Sequence, residues 1–189
     1  ADIIRLGRNI IFQQQRSTEA YNHTSMLRWL ETLPGELMQN DPRLSILYAQ
    51  STWDLGKRTR ATLDPHLQNA QQAYEHLVAA GEITPNDPEF LMLPFDIYVG
   101  RSKSAIYTGD LELSVELAEI ALAINIYDNP PALVDAYVVL HWACRESGQL
   151  DKAKEACDQM ISVSQPEGYH FGILEGLLGL GFTFQIQGH

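Results

Sequence analysis

"GDLELSVELAEIAL", residues 109–122, and "GQLDKAKEACDQMI", residues 148–161, are two copies of one pattern. Aligned on their first residue, both have glycine at the first position, leucine at the third, an acid at the fourth and a small residue at the sixth. A third glycine, Gly188, follows Gly148 at the same interval, so glycine recurs about every 40 residues. A spacing this regular is typical of an internal structural repeat.

Each copy predicts a helix with one apolar face. Apolar and small residues recur at steps of three and four, as in Leu111, Val115, Ala118 and Leu122, and this period places them on one side of an α-helix. Another apolar-periodic segment precedes each glycine, so the repeating unit is helix, glycine turn, helix. The glycine and the small residue five positions later allow the two antiparallel helices to approach closely.

The helix starts are marked by Asp or Asn followed by proline. A short polar side chain caps the free N–H groups of the first turn, and proline is tolerated at the first helical position because its missing N–H has no partner there. The predicted starts are Asn40–Asp41–Pro42, Asn86–Asp87–Pro88 and Asp128–Asn129–Pro130, with a weaker one at Gln165–Pro166.

The repeat resembles the tetratricopeptide motif, with Leu177, Leu180, Gly181, Phe184 and Gly188 at its large, large, small, aromatic and turn positions. This resemblance implies an all-α fold of antiparallel helix hairpins stacked in a right-handed superhelix. We expect a single domain, residues 1–189, excised from a larger protein. Its predicted parts are N-terminal capping helices (1–40), a first hairpin (41–80), a second hairpin (87–127), a third hairpin (129–164) and the first helix of a further repeat (166–188).

Composition narrows the classes of function. The formal net charge of -11 opposes a phosphate backbone, so we expect no direct contact of this chain with nucleic acid. No apolar run reaches the roughly 20 residues that span a bilayer and no leader sequence is recognisable, which predicts a cytoplasmic protein without membrane contact. Two cysteines, Cys144 and Cys157, fit a reducing compartment.

No pattern of catalytic residues is present, so we expect that this chain is not an enzyme. "GLLGLG", residues 176–181, lacks the Gly-Lys-Ser/Thr ending of a nucleotide-binding loop and follows no predicted strand. His141, Cys144, Cys157 and His170 offer two nitrogens and two sulfurs for a zinc ion, although zinc sites of this type use tighter spacings. The simpler interpretation is two reduced thiols packed in the core as small apolar groups, and we expect no metal.

The repeat register assigns a candidate binding face to the first helices of the hairpins, which line the inner side of stacked helical repeats. An acid stands at the second position of three first helices, where it also interacts favourably with the helix dipole. Aromatic, amide and basic side chains share this face and suit a polar small molecule such as a sugar, a peptide, or a subunit contact within a homo-oligomer. The candidate residues are Gln50, Trp53, Asp54, Asp96, Lys103, Tyr107, Asp135, Trp142, Arg145, Glu175, Phe182 and Gln185.

Three motifs carry a resemblance to a protein family. Residues 29–34, "WLETLP", lead into the helix start Pro42–Arg43–Leu44, and the turn Thr108–Gly109–Asp110–Leu111 follows about sixty residues later. This arrangement resembles the helical-repeat sensor region of MalT-like, LuxR-type, ATP-dependent transcription activators, over about residues 24–188. The resemblance implies a sensor that binds an inducer or a regulatory protein on its concave face and contacts other domains of the same polypeptide. The ATP of that family belongs to a domain outside this chain, so no cofactor is expected here.

Two departures from the repeat stand out. His141 replaces a small residue, which predicts either a wider helix pair or an imidazole directed at a neighbouring helix. Residues 81–88, "GEITPNDP", form a longer linker than the other joints.

The alternative function is a free-standing tetratricopeptide-like scaffold that binds proteins and no small molecule.

Overall fold

The computed structural model describes residues 23–57, 59–87, 90–124 and 129–188. Every secondary-structure element in these ranges is an α-helix. The all-α class predicted from the repeat is therefore confirmed. Of the predicted capping region, residues 1–22 lie outside the described ranges. The helices are α1 (His23–Glu31), α2 (Gly35–Asn40), α3 (Pro42–Asp54), α4 (Arg60–Ala79), α5 (Leu93–Thr108), α6 (Leu111–Ala123), α7 (Pro130–Glu146), α8 (Leu150–Ser164) and α9 (His170–Gln187).

Two of the predicted helix starts are confirmed in position and in chemistry. Asp41 precedes α3 and accepts a hydrogen bond from the Arg43 N–H at 3.0 Å. Asn129 precedes α7 and accepts one from the Ala132 N–H at 3.4 Å. In both helices proline is the first residue, where its missing N–H costs no intrahelical bond.

The other two predicted starts are displaced toward the C-terminus. α5 begins at Leu93, whereas Pro88 lies outside the described residues. Pro94 stands in the first turn of α5, where proline is tolerated because its missing N–H has no intrahelical partner. α9 begins at His170 because residues 165–168 form a turn in which Gly168 has a φ of +64°, a value that a right-handed helix cannot continue.

Glycines close the two hairpins that the repeat identified. Gly109 and Gly148 both have a φ of +78°, in the left-handed region that glycine adopts without steric cost. The next N–H in each turn donates back into the preceding helix, from Asp110 to the Ala105 carbonyl at 3.0 Å and from Gln149 to the Cys144 carbonyl at 2.8 Å. These bonds satisfy carbonyls that the helix ends would leave without a partner.

The hairpins pack through small residues, as their sequence predicts. Ser102 and Ser114 are buried, and each hydroxyl donates to the other residue's backbone carbonyl, at 2.7 Å and 3.0 Å. Ala153, the equivalent of Ser114 in the next hairpin, has no exposed surface. Larger side chains at these positions would hold the antiparallel helices apart.

The first helices of the hairpins form a continuous layer. Each helix from α3 onward contacts the next one, and α3, α5, α7 and α9 also contact one another in sequence. No comparable contact joins α4 to α6 or α6 to α8 among the described residues. The core consists of successive clusters of buried apolar residues along this layer. One cluster contains Leu63, Leu67 and Leu93, and another contains Val134 and Met160.

α9 has an unusual division of its surface. Its buried residues are three glycines and one threonine. An added Cβ on Gly172, Gly176 or Gly179 would lie within 3.0 Å of atoms of the neighbouring helices. Seven of its large apolar residues are exposed, with Phe171, for example, 55% exposed, whereas Leu180 packs against the core. The exposed set is Phe171, Leu174, Leu177, Leu178, Phe182, Phe184 and Ile186. None of the helices described in the chain combines the length and the apolar character needed to cross a membrane.

Candidate functional site

A cavity of about 340 Å³ lies among α3, α5 and α7, the first helices of the hairpins. It is lined by residues of α1, α3, α4, α5 and α7. Its volume is at the lower end of the range that small-molecule sites occupy. Of the face predicted from the repeat, the residues that line the cavity are Gln50, Trp53, Asp54, Asp96, Lys103 and Asp135.

Aliphatic side chains form a large part of the lining. Ile46, Leu63, Leu67 and Val99 are all buried core residues as well as lining residues. Gly100 also lines the cavity, and an added Cβ there would lie 2.6 Å from Leu67 Cδ2. The absent side chain at Gly100 therefore permits α4 and α5 to come together beside the cavity.

Lys103 connects three first helices at the polar part of the lining. Its Nζ lies 2.7 Å from Asp135 Oδ2 of α7 and 5.4 Å from the centroid of the Trp53 ring of α3. Trp53 in turn meets the ring of Tyr107 edge to face, with 5.1 Å between centroids. The lysine side chain is 17% exposed, so its charge is partly removed from water and depends on these neighbours.

Two polar residues of the cavity lining were not predicted from the sequence. His23 of α1 lies with its Nε2 at 3.3 Å from Asp54 Oδ2. Ser51 of α3 is 0% exposed, and its Oγ has no hydrogen-bond partner among the described residues. A buried hydroxyl without a partner is uncommon, because it loses its bonds to water and gains nothing in exchange.

The remaining predicted residues do not line the cavity. The Arg145 guanidinium lies 5.7 Å from the centroid of the Phe182 ring and its Nη2 lies 2.7 Å from Glu146 Oε1. Burial, and then the negative charges of Asp135 and Glu175, raise the pKa of Tyr169, which places both acids near that phenol. The predicted face therefore lies only partly in the cavity, and the predicted residues outside the cavity lining are Tyr107, Trp142, Arg145, Glu175, Phe182 and Gln185.

The four residues considered for zinc do not come together. No three His, Cys, Asp or Glu side chains in the described part of the chain are grouped closely enough to hold a metal ion. Burial raises the pKa of Cys144 to about 11 and that of Cys157 to about 12. Both thiols pack in apolar clusters, as the simpler interpretation predicts.

His141 is directed at a neighbouring helix, one of the two outcomes that its place in the repeat predicts. Its Nε2 lies 3.4 Å from Thr183 Oγ1 of α9, and an added Cβ on Gly179 would lie 3.2 Å from the imidazole. Burial, assisted by the positive charge of Arg145, lowers the pKa of His141 to about 4. The imidazole is therefore neutral at pH 7, and it fills a space that two small α9 residues provide.

Comparisons with protein-family models, with curated proteins and with solved structures found no match to this chain. The likeness to MalT-like regulators consequently stays a prediction from the motifs at residues 29–44 and 108–111. The fold and the cavity define a helical chain with a bounded, partly charged site among its first helices.

Proposed function

We propose that this chain is a ligand-sensing domain built from tetratricopeptide-like hairpins, and that the cavity is its binding site. One observation carries the proposal. The cavity draws residues from three successive first helices: Trp53 from α3, Lys103 from α5 and Asp135 from α7. A ligand in it contacts several hairpins at once, and its binding free energy then depends on how those hairpins are arranged.

The contact pattern supports a superhelical arrangement. First helices contact one another along the chain, whereas second helices do not do so comparably among the described residues. A stack whose helices contact one another more closely on one side than on the other curves toward the side with the closer contacts. The layer of α3, α5, α7 and α9 is then the concave side, as in stacked helical repeats.

The wider role that we propose is the one implied by the sequence resemblance: a regulatory domain of a MalT-like transcription activator that controls ATP-dependent activation. In such a protein the ligand must bind one arrangement of the hairpins better than another, because equal affinity for both shifts no population. This role predicts a nucleotide-binding domain and a helix-turn-helix domain elsewhere in the complete polypeptide. A complete gene that encodes neither domain would contradict the regulatory role and leave the cavity to be tested by itself.

Ligand binding is tested with a panel of sugars, amino acids, amines and signalling metabolites. A compound that raises the melting temperature of the chain is then titrated calorimetrically into two tryptophan variants. Trp53→Ala removes a ring that lines the cavity, whereas Trp142→Ala removes a half-buried ring of α7 that does not line it. We expect Trp53→Ala to weaken binding at least about tenfold and Trp142→Ala to leave it unchanged, with circular dichroism showing that both variants are folded.

Each result has a clear meaning. Weaker binding in Trp142→Ala alone would place the binding site outside the cavity, on the part of the predicted face that includes Trp142. The absence of any stabilising compound would reject the small-molecule function.

A protein scaffold is the alternative function, and the exposed apolar side chains of α9 favour it. Apolar patches of this kind often contact other proteins. The structure identifies no occupant for the α9 surface, whereas the cavity is a bounded site with several polar groups. The cavity therefore carries the proposal.

A further inference from the structure

The outward side of α9 carries a continuous row of large apolar side chains. They recur at steps of three or four residues, so they lie along one side of the helix. In the described part of the chain, seven of the twelve exposed large apolar side chains belong to α9, which makes this helix the main apolar surface there. Six of the seven, each 48–57% exposed, form what we call the α9 face: Phe171, Leu174, Leu177, Leu178, Phe182 and Ile186.

The α9 face is large enough for a specific protein contact. Its six side chains are each about half exposed, and at roughly 200 Å² per fully exposed side chain they present roughly 600 Å² of apolar surface. This area is at the upper end of what monomeric proteins expose as one patch. Two such faces packed together bury about 1,200 Å² from these side chains alone, the lower end of the range of stable, specific interfaces.

α9 also differs from the rest of the chain in charge. The formal net charge of -11 opposes the approach of two copies through most of their surface. α9, in contrast, contains one acid, Glu175, and no aspartate, lysine or arginine. A contact between two copies through α9 therefore brings little like charge together.

We infer that the α9 face is an interface between two copies of this chain, related by a two-fold axis near Leu178, with the two α9 helices running in opposite directions. The inference goes beyond the proposed function and does not depend on the cavity. Under two-fold symmetry the same patch serves both copies, so the two apolar faces match in length and in area. Rows of side chains spaced by four residues fit into each other when two helices cross at about 50°, and Leu178 lies at the middle of the row.

The charged groups beside the face favour opposite helix directions. The Arg145 guanidinium of α7 lies 5.7 Å from the centroid of the Phe182 ring, in the C-terminal half of α9, whereas Glu175 lies in the N-terminal half. Opposite directions bring Glu175 of one copy beside Phe182 and Arg145 of the other, twice in each dimer. Arg145 contacts Glu146 within its own copy, and a guanidinium has further N–H donors for a second carboxylate. Parallel helices would instead bring the two glutamates together.

The position of the α9 face favours a closed pair over an open filament. At the other end of the layer of first helices, Leu30 of α1 packs against Leu44 and Leu47 of α3, so a capping helix covers that end. The two ends of the described chain therefore differ, and an end-to-end contact that repeats from copy to copy has no second apolar face. A single apolar end pairs with itself, and the assembly stops at two copies.

Sedimentation equilibrium of the chain over a wide range of concentrations tests the pairing. We expect a dimer that dissociates reversibly on dilution and no larger species. Leu178→Glu should weaken dimerisation at least about a hundredfold, because the axis places both carboxylates in the apolar contact. Leu113→Glu is the matched control, since it adds the same charge at an exposed leucine of α6, and it should leave dimerisation unchanged. Circular dichroism checks that both variants are folded.

Two charge variants test the direction of the helices. Glu175→Arg places an arginine beside Arg145 of the other copy, and Arg145→Glu places a glutamate beside Glu175. Each variant alone should dimerise about tenfold more weakly, because the unfavourable contact occurs twice. An equal mixture of the two should associate about as tightly as the wild type, because both contacts of the mixed dimer again join opposite charges. A folding defect cannot produce this recovery.

The outcomes decide the inference without reference to any ligand. A monomer at all concentrations would overturn it and leave the α9 face to a different protein. Aggregates that grow with concentration, or a dimer that Leu178→Glu does not weaken, would also overturn it, because neither is a specific contact through this face. A mixture of the charge variants that associates no better than either variant alone would reject the opposite helix directions and with them the inference. The proposed function of the cavity is unaffected by each of these results.

Discussion

Replacing Gly176 with alanine should loosen the attachment of α9 to the rest of the fold. An added Cβ at this position would lie 2.8 Å from the backbone carbonyl oxygen of Cys157 and 2.6 Å from Ile161 Cγ1. Ordinary contacts of this type are about 3.5 Å or longer, so α8 and α9 must move apart by about 0.7 Å. A backbone carbonyl within a helix cannot rotate away as a side chain does, and the space therefore has to come from helix separation.

The size of the effect follows from two opposing terms. Alanine in place of glycine inside a helix stabilises by about 1 kcal/mol, whereas overpacking a well-filled contact costs about 1–3 kcal/mol. Gly181→Ala is the matched control, because Gly181 lies in the same helix and an added Cβ there meets nothing within 4 Å. The difference between the two variants removes the propensity term and leaves an overpacking cost of about 2 kcal/mol.

Thermal and urea unfolding measure this difference. For a chain of this size, 2 kcal/mol corresponds to a difference in melting temperature of about 4–8 °C. Among the described helices, α9 packs mainly against α7 and α8, so part of the loss is expected as local detachment, seen as faster hydrogen exchange of α9 amides. Equal stability and equal exchange in Gly176→Ala and Gly181→Ala would show that α9 does not dock through its glycines.

Two further predictions concern groups away from the cavity. Because the pKa of His141 falls from 6.5 to about 4 on folding, the unfolded chain binds the proton first as the pH is lowered. The stabilisation from neutral His141 is complete above pH 6.5 and is lost toward pH 4, by about 2 kcal/mol between pH 7 and 5. The His141→Gln variant should therefore lose less free energy of unfolding than the wild type between pH 7 and 5, and equal losses would refute the assignment. Gly109 has a φ of +78° and open space around its α-carbon. Gly109→Ala should therefore lower the free energy of unfolding by about 1 kcal/mol through backbone strain alone, and Gly109→Asn should lower it distinctly less. A wild-type melting temperature for the alanine variant would contradict a left-handed turn.

Local signals predicted the helix boundaries where no second signal competed with them. Asp41 and Asn129 are each followed by one proline at a helix start, and both act as caps. The helix after the predicted start at Asn86–Asp87–Pro88 begins at Leu93, and a second proline, Pro94, stands in its first turn. The start at Pro166 failed because Gly168 adopts a left-handed conformation between that proline and the helix. Periodicity and capping rules give no ranking between such competing signals.

Six of the twelve residues that the register assigned to the candidate face line the cavity, but the register did not predict how far the cavity extends along each helix. Lys103 lines the cavity and Tyr107 does not, although both lie on one face of α5. They are one turn apart, and one turn is about 6 Å along the helix axis, enough to separate a cavity from its edge. His23 was missed because it lies outside the repeat, and Ser51 because a missing hydrogen-bond partner has no signature in sequence.

The contacts within and between hairpins differ in a way that matters for sensing. Within the second hairpin, Ser102 and Ser114 are joined by reciprocal buried hydrogen bonds. Between the second and third hairpins, the Lys103–Asp135 pair joins a lysine that is 17% exposed to an aspartate that is 47% exposed, and partly exposed pairs contribute about 1 kcal/mol or less.

A ligand with micromolar affinity has about 8 kcal/mol of binding free energy, far more than this contact. On the proposed function, a ligand in the cavity contacts Trp53, Lys103 and Asp135, the side chains that form this link. A ligand that displaces Lys103 from Asp135 then releases the link between the hairpins. The resulting difference in affinity between the linked and the released arrangement is what a sensor needs in order to respond to its ligand.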